Sequence, residues 1–328
     1  MRWWLLSLSL AGVLCPYPTA EAAGQSGRVT STECCLELLF PLGARAVSLG
    51  QSLTARPSPD GLFYNPASLA GTGRDQFLVH HEMTFEGQNN AFMILIDAGL
   101  AGAFGLTYAL IDQGEEDATG PGGEVTGRLT IRQQQLLATY ATSVGTGLRA
   151  GVSYKLFHGG TFCSGSCGGG ERAGTTHLLD LGAQYTPRFF PYLELGASLT
   201  QFGFPLQQKN AEQADPTPAR IRAGAAYEIA HHFRADSTIS IWLSGDVVNR
   251  FRAPTAPIVG LGVEAAFDRT IFVRAGYSGS GDALTKGGGG LGIGIRYERF
   301  TIDVATLFTR SELDTEGAPF QVSFGITF

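Results

Sequence analysis

The sequence has little charge and, after its first residues, no long apolar run. Asp, Glu, Lys and Arg make up 16% of the 328 residues, against roughly 25% in an average soluble domain. No stretch of about 18 apolar residues follows Ala23, so no transmembrane helix is predicted. The net charge of -6 gives no reason to expect nucleic acid as a partner. With a mean hydropathy of +0.06, these absences favour a chain whose apolar and polar residues are interleaved.

Motifs for catalysis or metal binding are absent as well. His80 and His81 are adjacent in a predicted strand, where neighbouring side chains point to opposite faces and so do not form a metal site together. The Gly-rich stretch at 285–290 lacks the residue order of a phosphate-binding loop. No Ser/His/Asp set is placed by the sequence. We therefore predict no catalytic site, no metal and no cofactor, and a protein that is not an enzyme.

The N-terminus predicts export. Arg2 precedes an apolar stretch at 3–14, and Ala20-Glu21-Ala22 offers a cleavage site. This pattern is typical of a secretory signal peptide, predicted over residues 1–22, and the apolar stretch is too short to span a membrane.

Four cysteines follow the predicted signal peptide. Cys163 and Cys167 lie in a Gly- and Ser-rich stretch, where two residues four apart meet easily. An exported chain permits disulfides, so a Cys163–Cys167 disulfide is predicted in preference to a soft-metal site. Cys34 and Cys35 are adjacent, and the sequence does not assign their partners.

From about Gln76 onward the apolar residues recur with a period of two, which predicts strands. The last nine residues show this best, with polar or small residues alternating with Phe320, Val322, Phe324, Ile326 and Phe328. About 14 such segments are predicted, near 76–86, 90–97, 100–110, 127–142, 147–158, 175–186, 192–202, 219–230, 237–249, 257–267, 270–278, 288–297, 300–309 and 319–328. Most have the length that a tilted strand needs to cross a bilayer.

The links between these segments alternate between long and short. The longest are predicted at 111–126, 159–174 and 203–218, whereas the links in between are mostly tight. Long outer loops, short periplasmic turns and an even strand number are typical of outer-membrane barrels. The all-β fold predicted for residues 75–328 is therefore a transmembrane antiparallel β-barrel of about 14 strands in the cell outer membrane, with both termini periplasmic.

A C-terminal amphipathic strand that ends on a Phe resembles the assembly signal of bacterial outer-membrane barrels. The strand in question is the one from Phe320 to Phe328. The resemblance implies the outer-membrane lipid and the barrel assembly machinery as partners.

Residues 23–74 differ from the barrel because they lack the period of two. Asn65 followed by Pro66 predicts a helix start, with Asn65 as N-cap and Pro66 at the first helical position. We predict a short plug-like segment with one or two small helices, which either lies in the lumen or hangs in the periplasm.

Part of this segment resembles the N-terminal motif of the PorV/PorQ family, which belongs to the FadL-like superfamily of outer-membrane barrels. The matching residues are Gly43-Ala44-Arg45-Ala46, Gly50 and Tyr64-Asn65-Pro66-Ala67. The resemblance implies a 14-stranded barrel with the segment packed in or against its lumen, and a plug motif made of Gly43, Ala44, Arg45, Asn65, Pro66 and Ala67. The chain departs from the family pattern at 49–52 and in the Cys-containing loop.

Three functions follow from these predictions. The first is a PorV/PorQ-type barrel that binds secretion-system proteins or exported cargo, in protein export or surface attachment. The alternative is a FadL-like channel for long-chain fatty acids or other hydrophobic compounds. The third is a porin-like structural barrel without a dedicated ligand. The charged residues on the polar strand faces are Arg149, Lys155, Asp180, Arg222, Glu228, Asp246, Arg274, Arg296, Glu298 and Asp303. They either form a polar pathway or ligand site, or they pair with one another and with the plug. We expect pairing, including a contact of Arg45 with a lumen carboxylate.

Overall fold

A computed structural model describes most of the chain after the predicted signal peptide. The described residues are 33–84, 87–168, 171–209, 213–232, 238–254, 257–279, 288–309 and 319–328. The signal peptide predicted at residues 1–22 lies outside them. No helix in these ranges is long and apolar enough to cross a membrane.

Fourteen strands form one closed antiparallel barrel, as the period of two predicts. They are β1 (Gln76–Thr84), β2 (Gly87–Asp97), β3 (Ala103–Thr119), β4 (Val125–Ser143), β5 (Leu148–Gly165), β6 (Arg172–Tyr185), β7 (Leu193–Gly203), β10 (Arg220–Glu228), β11 (Ile239–Arg250), β12 (Ile258–Phe267), β13 (Ile271–Gly279), β14 (Gly288–Tyr297), β15 (Phe300–Thr309) and β16 (Phe320–Thr327). The remaining two, β8 (Leu206–Gln207) and β9 (Ala214–Asp215), form a separate two-stranded sheet.

Barrel strands pair with their neighbours in sequence, β7 pairs with β10, and β1 pairs with β16 to close the sheet. The backbone N–H of Phe328 donates to the Asp75 carbonyl at 2.9 Å, so the barrel's two chain ends meet at one rim. That this rim faces the periplasm stays a prediction.

The two faces of the barrel wall differ as the alternation predicts. On β13, the side chains of Ile271, Val273 and Tyr277 are about half exposed, whereas Phe272 and Arg274 point inward and are buried. The named outward side chains of this strand are therefore apolar and its charged residue faces the lumen, which is the arrangement of a barrel whose outer wall meets lipid.

The predicted loops at 111–126 and 159–174 are wrong over most of their length. β3 continues to Thr119, β4 starts at Val125 and β5 continues to Gly165, so these strands project beyond the rim. The sequence did not predict these extensions because they are acidic and rich in Gly. A sheet that has water on both faces does not need alternating apolar residues, so the period of two is absent there. The third predicted loop, 203–218, holds the β8–β9 hairpin.

Residues 33–74 pack against the inner wall of the barrel. They contain the five-residue helix α1 (Ala44–Ser48) and three 3-10 turns at Leu36–Leu39, Asp60–Phe63 and Pro66–Gly71. The turn at Pro66–Gly71 contacts β3, β4, β5 and β6, and α1 contacts β13, β14, β15 and β16. The first boundary of the predicted plug-like segment lies outside the described residues.

Lumen-facing glycines let this segment lie directly on the wall. A Cβ added at Gly276 would overlap the backbone of Leu49 and Gly50, and one added at Gly196 would overlap the backbone of Thr54. Part of the high glycine content, 45 of 328 residues, thus serves the contact between the segment and the barrel. The apolar core also lies at this contact, where Leu62 and Leu69 pack on wall residues such as Leu95 and Leu137.

Candidate functional site

Asn65 fixes the second half of the N-terminal segment to the wall. Its Oδ1 accepts from the Ala67 backbone N–H at 3.0 Å, so Asn65 is the N-cap of the turn Pro66–Gly71, as predicted. Its Nδ2 donates to the carbonyl of Thr54 at 2.8 Å and to that of Ala183 on β6 at 2.9 Å. One amide side chain thereby joins two parts of the segment to the barrel.

The first half is fixed through α1. Gly43 caps this helix with φ of 95°, a conformation that favours glycine. The Ala44 backbone N–H donates to Ser323 Oγ at 2.9 Å, and Arg45 donates two hydrogen bonds to the Glu264 carboxylate at 2.9 and 3.1 Å. The six residues of the predicted plug motif therefore divide between two contacts with opposite parts of the wall.

The Glu264 carboxylate accepts hydrogen bonds from three guanidinium groups. Besides Arg45, it accepts from Arg56 of the segment and from Arg274 on β13, each at 2.7 Å. Arg274 also pairs with Asp303 on β15. A buried carboxylate with several charge-assisted hydrogen bonds is satisfied, and this cluster binds the segment to three neighbouring parts of the chain.

A second set of ion pairs lies nearer the rim opposite the one where the chain ends meet. Lys155 Nζ is 2.6 Å from Asp180 and also donates to Gln201 Oε1 at 2.9 Å, and all three side chains are buried. Arg222 pairs with Asp246 at 3.0 Å, and Asp246 also accepts from Thr54. Lys155 and Arg222 are therefore each paired with a buried carboxylate.

Between this wall and the turn at Leu36–Leu39 lies a cavity of about 300 Å³. The N-terminal segment supplies its apolar side, and the strands supply most of its polar side. Lining residues include Leu36, Leu38, Leu39, Phe40, Leu42, Tyr64, Lys155, Gln201, Arg220, Arg222, Asp246, Val248 and Ile258. The size and the mixed lining are typical of a small-molecule site.

Lys155, Arg222 and Asp246 of the lining lie on strand faces that the sequence predicts to face the lumen, but most of the other cavity residues were not predicted. Leu36, Leu38 and Leu39 belong to an apolar stretch that precedes the strands. Such a stretch outside the barrel strands must bury its side chains elsewhere, and this could have indicated the contact with the lumen. Gln201 gave no signal: it occupies a β-bulge between β6 and β7, with φ of 58°. There its backbone N–H donates to Asp180 and its side chain donates to the Leu38 carbonyl.

The other predicted residues lie away from the cavity. Phe320 and Phe328 are exposed and Val322, Phe324 and Ile326 are half-buried, all alternating with the inward Gln321 and Ser323 on β16. Cys163, on the part of β5 that projects beyond the rim, is joined by a disulfide to Cys167, which follows that strand. Cys34 and Cys35, which had no assigned partner, are joined to each other.

Metal ligands do not gather in the described part of the chain, where no group of three or more His, Cys, Asp or Glu residues could hold an ion. His80 and His81 point to opposite faces, as predicted: His80 contacts Asp60 inside, and His81 contacts Asn90.

No known protein-family model matches this sequence, and no curated protein is similar to it in sequence. Solved structures with a similar fold include the Ralstonia pickettii toluene transporter TbuX, with a TM-score of 0.59 and 12% identity over 87% of this chain and 98% of that one. The Pseudomonas putida toluene transporter TodX has a TM-score of 0.54 at 12% identity over 87% and 96%. A Pseudomonas aeruginosa FadL homologue has a TM-score of 0.52 at 11% identity over 88% and 98%. This chain therefore shares the barrel fold of these solved structures.

Proposed function

We propose that this protein is an outer-membrane channel that takes up small hydrophobic compounds and holds them, on their way, in the cavity beside the turn at Leu36–Leu39. The observation that carries the proposal is this cavity of about 300 Å³ between the N-terminal segment and the inner wall of the barrel. Its volume is at the lower end of the range of small-molecule pockets.

The lining supports an apolar ligand rather than a strongly charged one. Lys155 and Arg222, two cations of the polar side, are already paired with Asp180 and Asp246. The leucines of the segment have apolar side chains that form no hydrogen bonds. An apolar molecule buried against them therefore gains the hydrophobic contribution without breaking an ion pair. The toluene transporters with a similar fold support the same class of ligand.

We place the barrel in the outer membrane with its chain ends toward the periplasm. The exposed apolar side chains around the wall and the FadL-like fold support this location. It implies outer-membrane lipid as the environment and the barrel assembly machinery as the partner that reads the Phe320–Phe328 strand.

A partner-binding role of the PorV/PorQ type is the second candidate, and the structural similarities support the channel better. The observation in its favour is the sheet extension formed by β3, β4 and β5 beyond the rim, which exposes surface outside the barrel. A protein that copurifies with the wild type, and not with a variant that lacks residues 114–130, would support this second role.

Binding of toluene and, separately, of a long-chain fatty acid to the purified protein in mild detergent tests the channel proposal. Leu39→Trp places an indole ring in the cavity, so we expect affinity for the bound compound to fall about tenfold or more by calorimetry, equivalent to about 1.4 kcal/mol. Val125→Trp adds the same ring on the exposed sheet extension and is expected to leave affinity unchanged. Equal affinities for both variants, or no binding of either compound to the wild type, would overturn the proposal.

A further inference from the structure

Cys34 and Cys35 form a disulfide between adjacent residues. Such a bond closes a small ring that contains the peptide bond between the two cysteines, so it restricts the backbone of both. Cys35 has φ of 55°, in the left-handed region that residues with a side chain rarely adopt. The chain direction at the start of the Leu36–Leu39 turn therefore depends on this ring.

The ring lies in an apolar cluster that shares Leu38 with the cavity lining. Cys34 and Cys35 pack with Leu38 of the turn and with a group of wall and loop residues, namely Phe157, Leu178 and Leu206. Cys34 is buried, whereas Cys35 is partly exposed, so we expect a small reagent to approach the ring from the side of Cys35.

Contacts on both sides of the ring hold the turn in place. Before it, Arg220 donates two hydrogen bonds to the Glu33 carboxylate at 2.9 and 3.0 Å, and the Cys34 backbone N–H donates to the Pro216 carbonyl at 2.9 Å. After it, Gln201 donates to the Leu38 carbonyl at 3.0 Å. The ring thus sits between two clamps, and the leucines that follow it line the cavity.

We infer that the Cys34–Cys35 disulfide is a thiol-reactive site that controls access to the cavity, closed when oxidised and open when reduced. The part concerning ligand access rests on the proposed function, whereas the part concerning the turn does not. The reagent is a small thiol or dithiol that approaches from the side of Cys35.

The exchange reaction is balanced as follows. A thiolate attacks the Cys35 sulfur and forms a mixed disulfide, while the bond to Cys34 breaks and Cys34 leaves as a thiolate that takes up a proton. A second thiol then attacks the reagent sulfur and frees the Cys35 thiol. Two reagent thiols are oxidised to one disulfide, and the cysteine pair gains two electrons and two protons.

Loss of the ring removes the constraint on Cys35. Its backbone can return to the ordinary negative φ region, which redirects the chain between the two clamps. The Leu36–Leu39 turn is then held by the two clamps alone and moves away from the cavity more often, while the Arg45 and Asn65 contacts farther along the segment are unchanged.

Hydrogen–deuterium exchange of the full-length protein in mild detergent tests the effect on the turn. Cys163→Ser/Cys167→Ser removes the other disulfide, so that dithiothreitol acts on one bond only, and mass spectrometry after alkylation confirms its reduction. We expect peptides covering residues 33–42 to exchange on the order of tenfold faster after reduction, equivalent to about 1.4 kcal/mol, and peptides covering Pro66–Gly71 to remain unchanged. Unchanged exchange at residues 33–42 after confirmed reduction would overturn the inference.

Cys34→Ser/Cys35→Ser is the matched control. It is expected to show fast exchange at residues 33–42 with and without dithiothreitol. Slow exchange in this variant would show that the turn does not depend on the disulfide and would contradict the inference.

Dissociation of toluene, measured by dilution in the same samples, tests access to the cavity. We expect it to accelerate on the order of tenfold with reduction, in parallel with exchange. Faster exchange with an unchanged dissociation rate would overturn the access part alone. Absence of toluene binding in every sample would instead overturn the proposed function, and the exchange result would still decide whether the disulfide controls the turn.

Discussion

At the scale of single residues, Glu264 is the side chain on which the position of the N-terminal segment depends most. Arg45 and Arg56 come to it from the segment and Arg274 from the wall, and its side chain is only 4% exposed. Removing one partner of a buried ionic cluster is costly because the charges that remain are left without compensation.

Glu264→Gln is therefore expected to lower the free energy of unfolding by about 3–5 kcal/mol. Urea-induced unfolding in detergent, followed by intrinsic fluorescence, measures the change. Glu115→Gln is the matched control, because Glu115 pairs with Arg128 on the exposed sheet extension, where an ion pair contributes less than about 1 kcal/mol. Similar losses for both variants would contradict the assigned role of Glu264.

Asp60 provides a second residue-scale contact, with a dependence on pH. Burial alone would raise the pKa of Asp60, but the facing His80, Arg45 and Arg274 outweigh burial and hold that pKa below its usual range. Its carboxylate lies 3.2 Å from His80, which also contacts Ser323 on β16. Asp60 thus joins the segment to the seam where the barrel closes.

A folded-state pKa below the unfolded value of about 3.9 means that ionised Asp60 stabilises the fold above that pH. This stabilisation is lost as the pH falls through the folded-state pKa. Asp60→Asn is expected to lower the free energy of unfolding by about 1.5–3 kcal/mol near pH 7, with the difference from wild type shrinking below about pH 4. A difference that stays constant across this pH range would contradict the ionic role.

At the scale of elements, the strands carry glycine where the segment crosses them. The sequence predicts the strands well because one face meets lipid and the other faces the lumen, so alternation is imposed on nearly every residue. It does not predict which glycines contact the segment, because that depends on pairs such as Gly276 and Gly50, which are distant in the chain. It also missed the outer parts of β3, β4 and β5, which have water on both faces.

Gly276→Ala places a Cβ against the backbone of Leu49 and Gly50. We expect a loss of about 1–3 kcal/mol of stability, the range for overpacking a filled interior, together with faster proteolysis of the segment. Gly289→Ala on the paired strand meets no atom closer than 3.9 Å and should change stability little. Equal stability of the two variants would show that the segment does not need the close approach at Gly276.

At the scale of the whole molecule, a closed barrel contains its own N-terminal segment, and a cavity lies between the segment's leucines and the wall. The fold was accessible from the sequence because the period of two is a local feature, although two of the three longest predicted links are mostly strand. The cavity was not, because its lining combines residues from the Leu36–Leu39 turn, the bulge at Gln201 and strands far along the chain. The contact of Arg45 with a lumen carboxylate was expected from charge alone. Identifying Glu264 as that carboxylate required the register of β12, which the sequence does not give.

Uptake of radiolabelled toluene by bacteria that lack any other channel of this kind tests the central claim most directly. Cells that carry the wild-type barrel in the outer membrane are compared with cells that carry equal amounts of Leu39→Trp, and with cells that carry no barrel. The account predicts a faster initial rate with the wild type, and a rate with Leu39→Trp close to that without the barrel. Equal initial rates in all three would contradict the assignment of this barrel as a channel for small hydrophobic compounds.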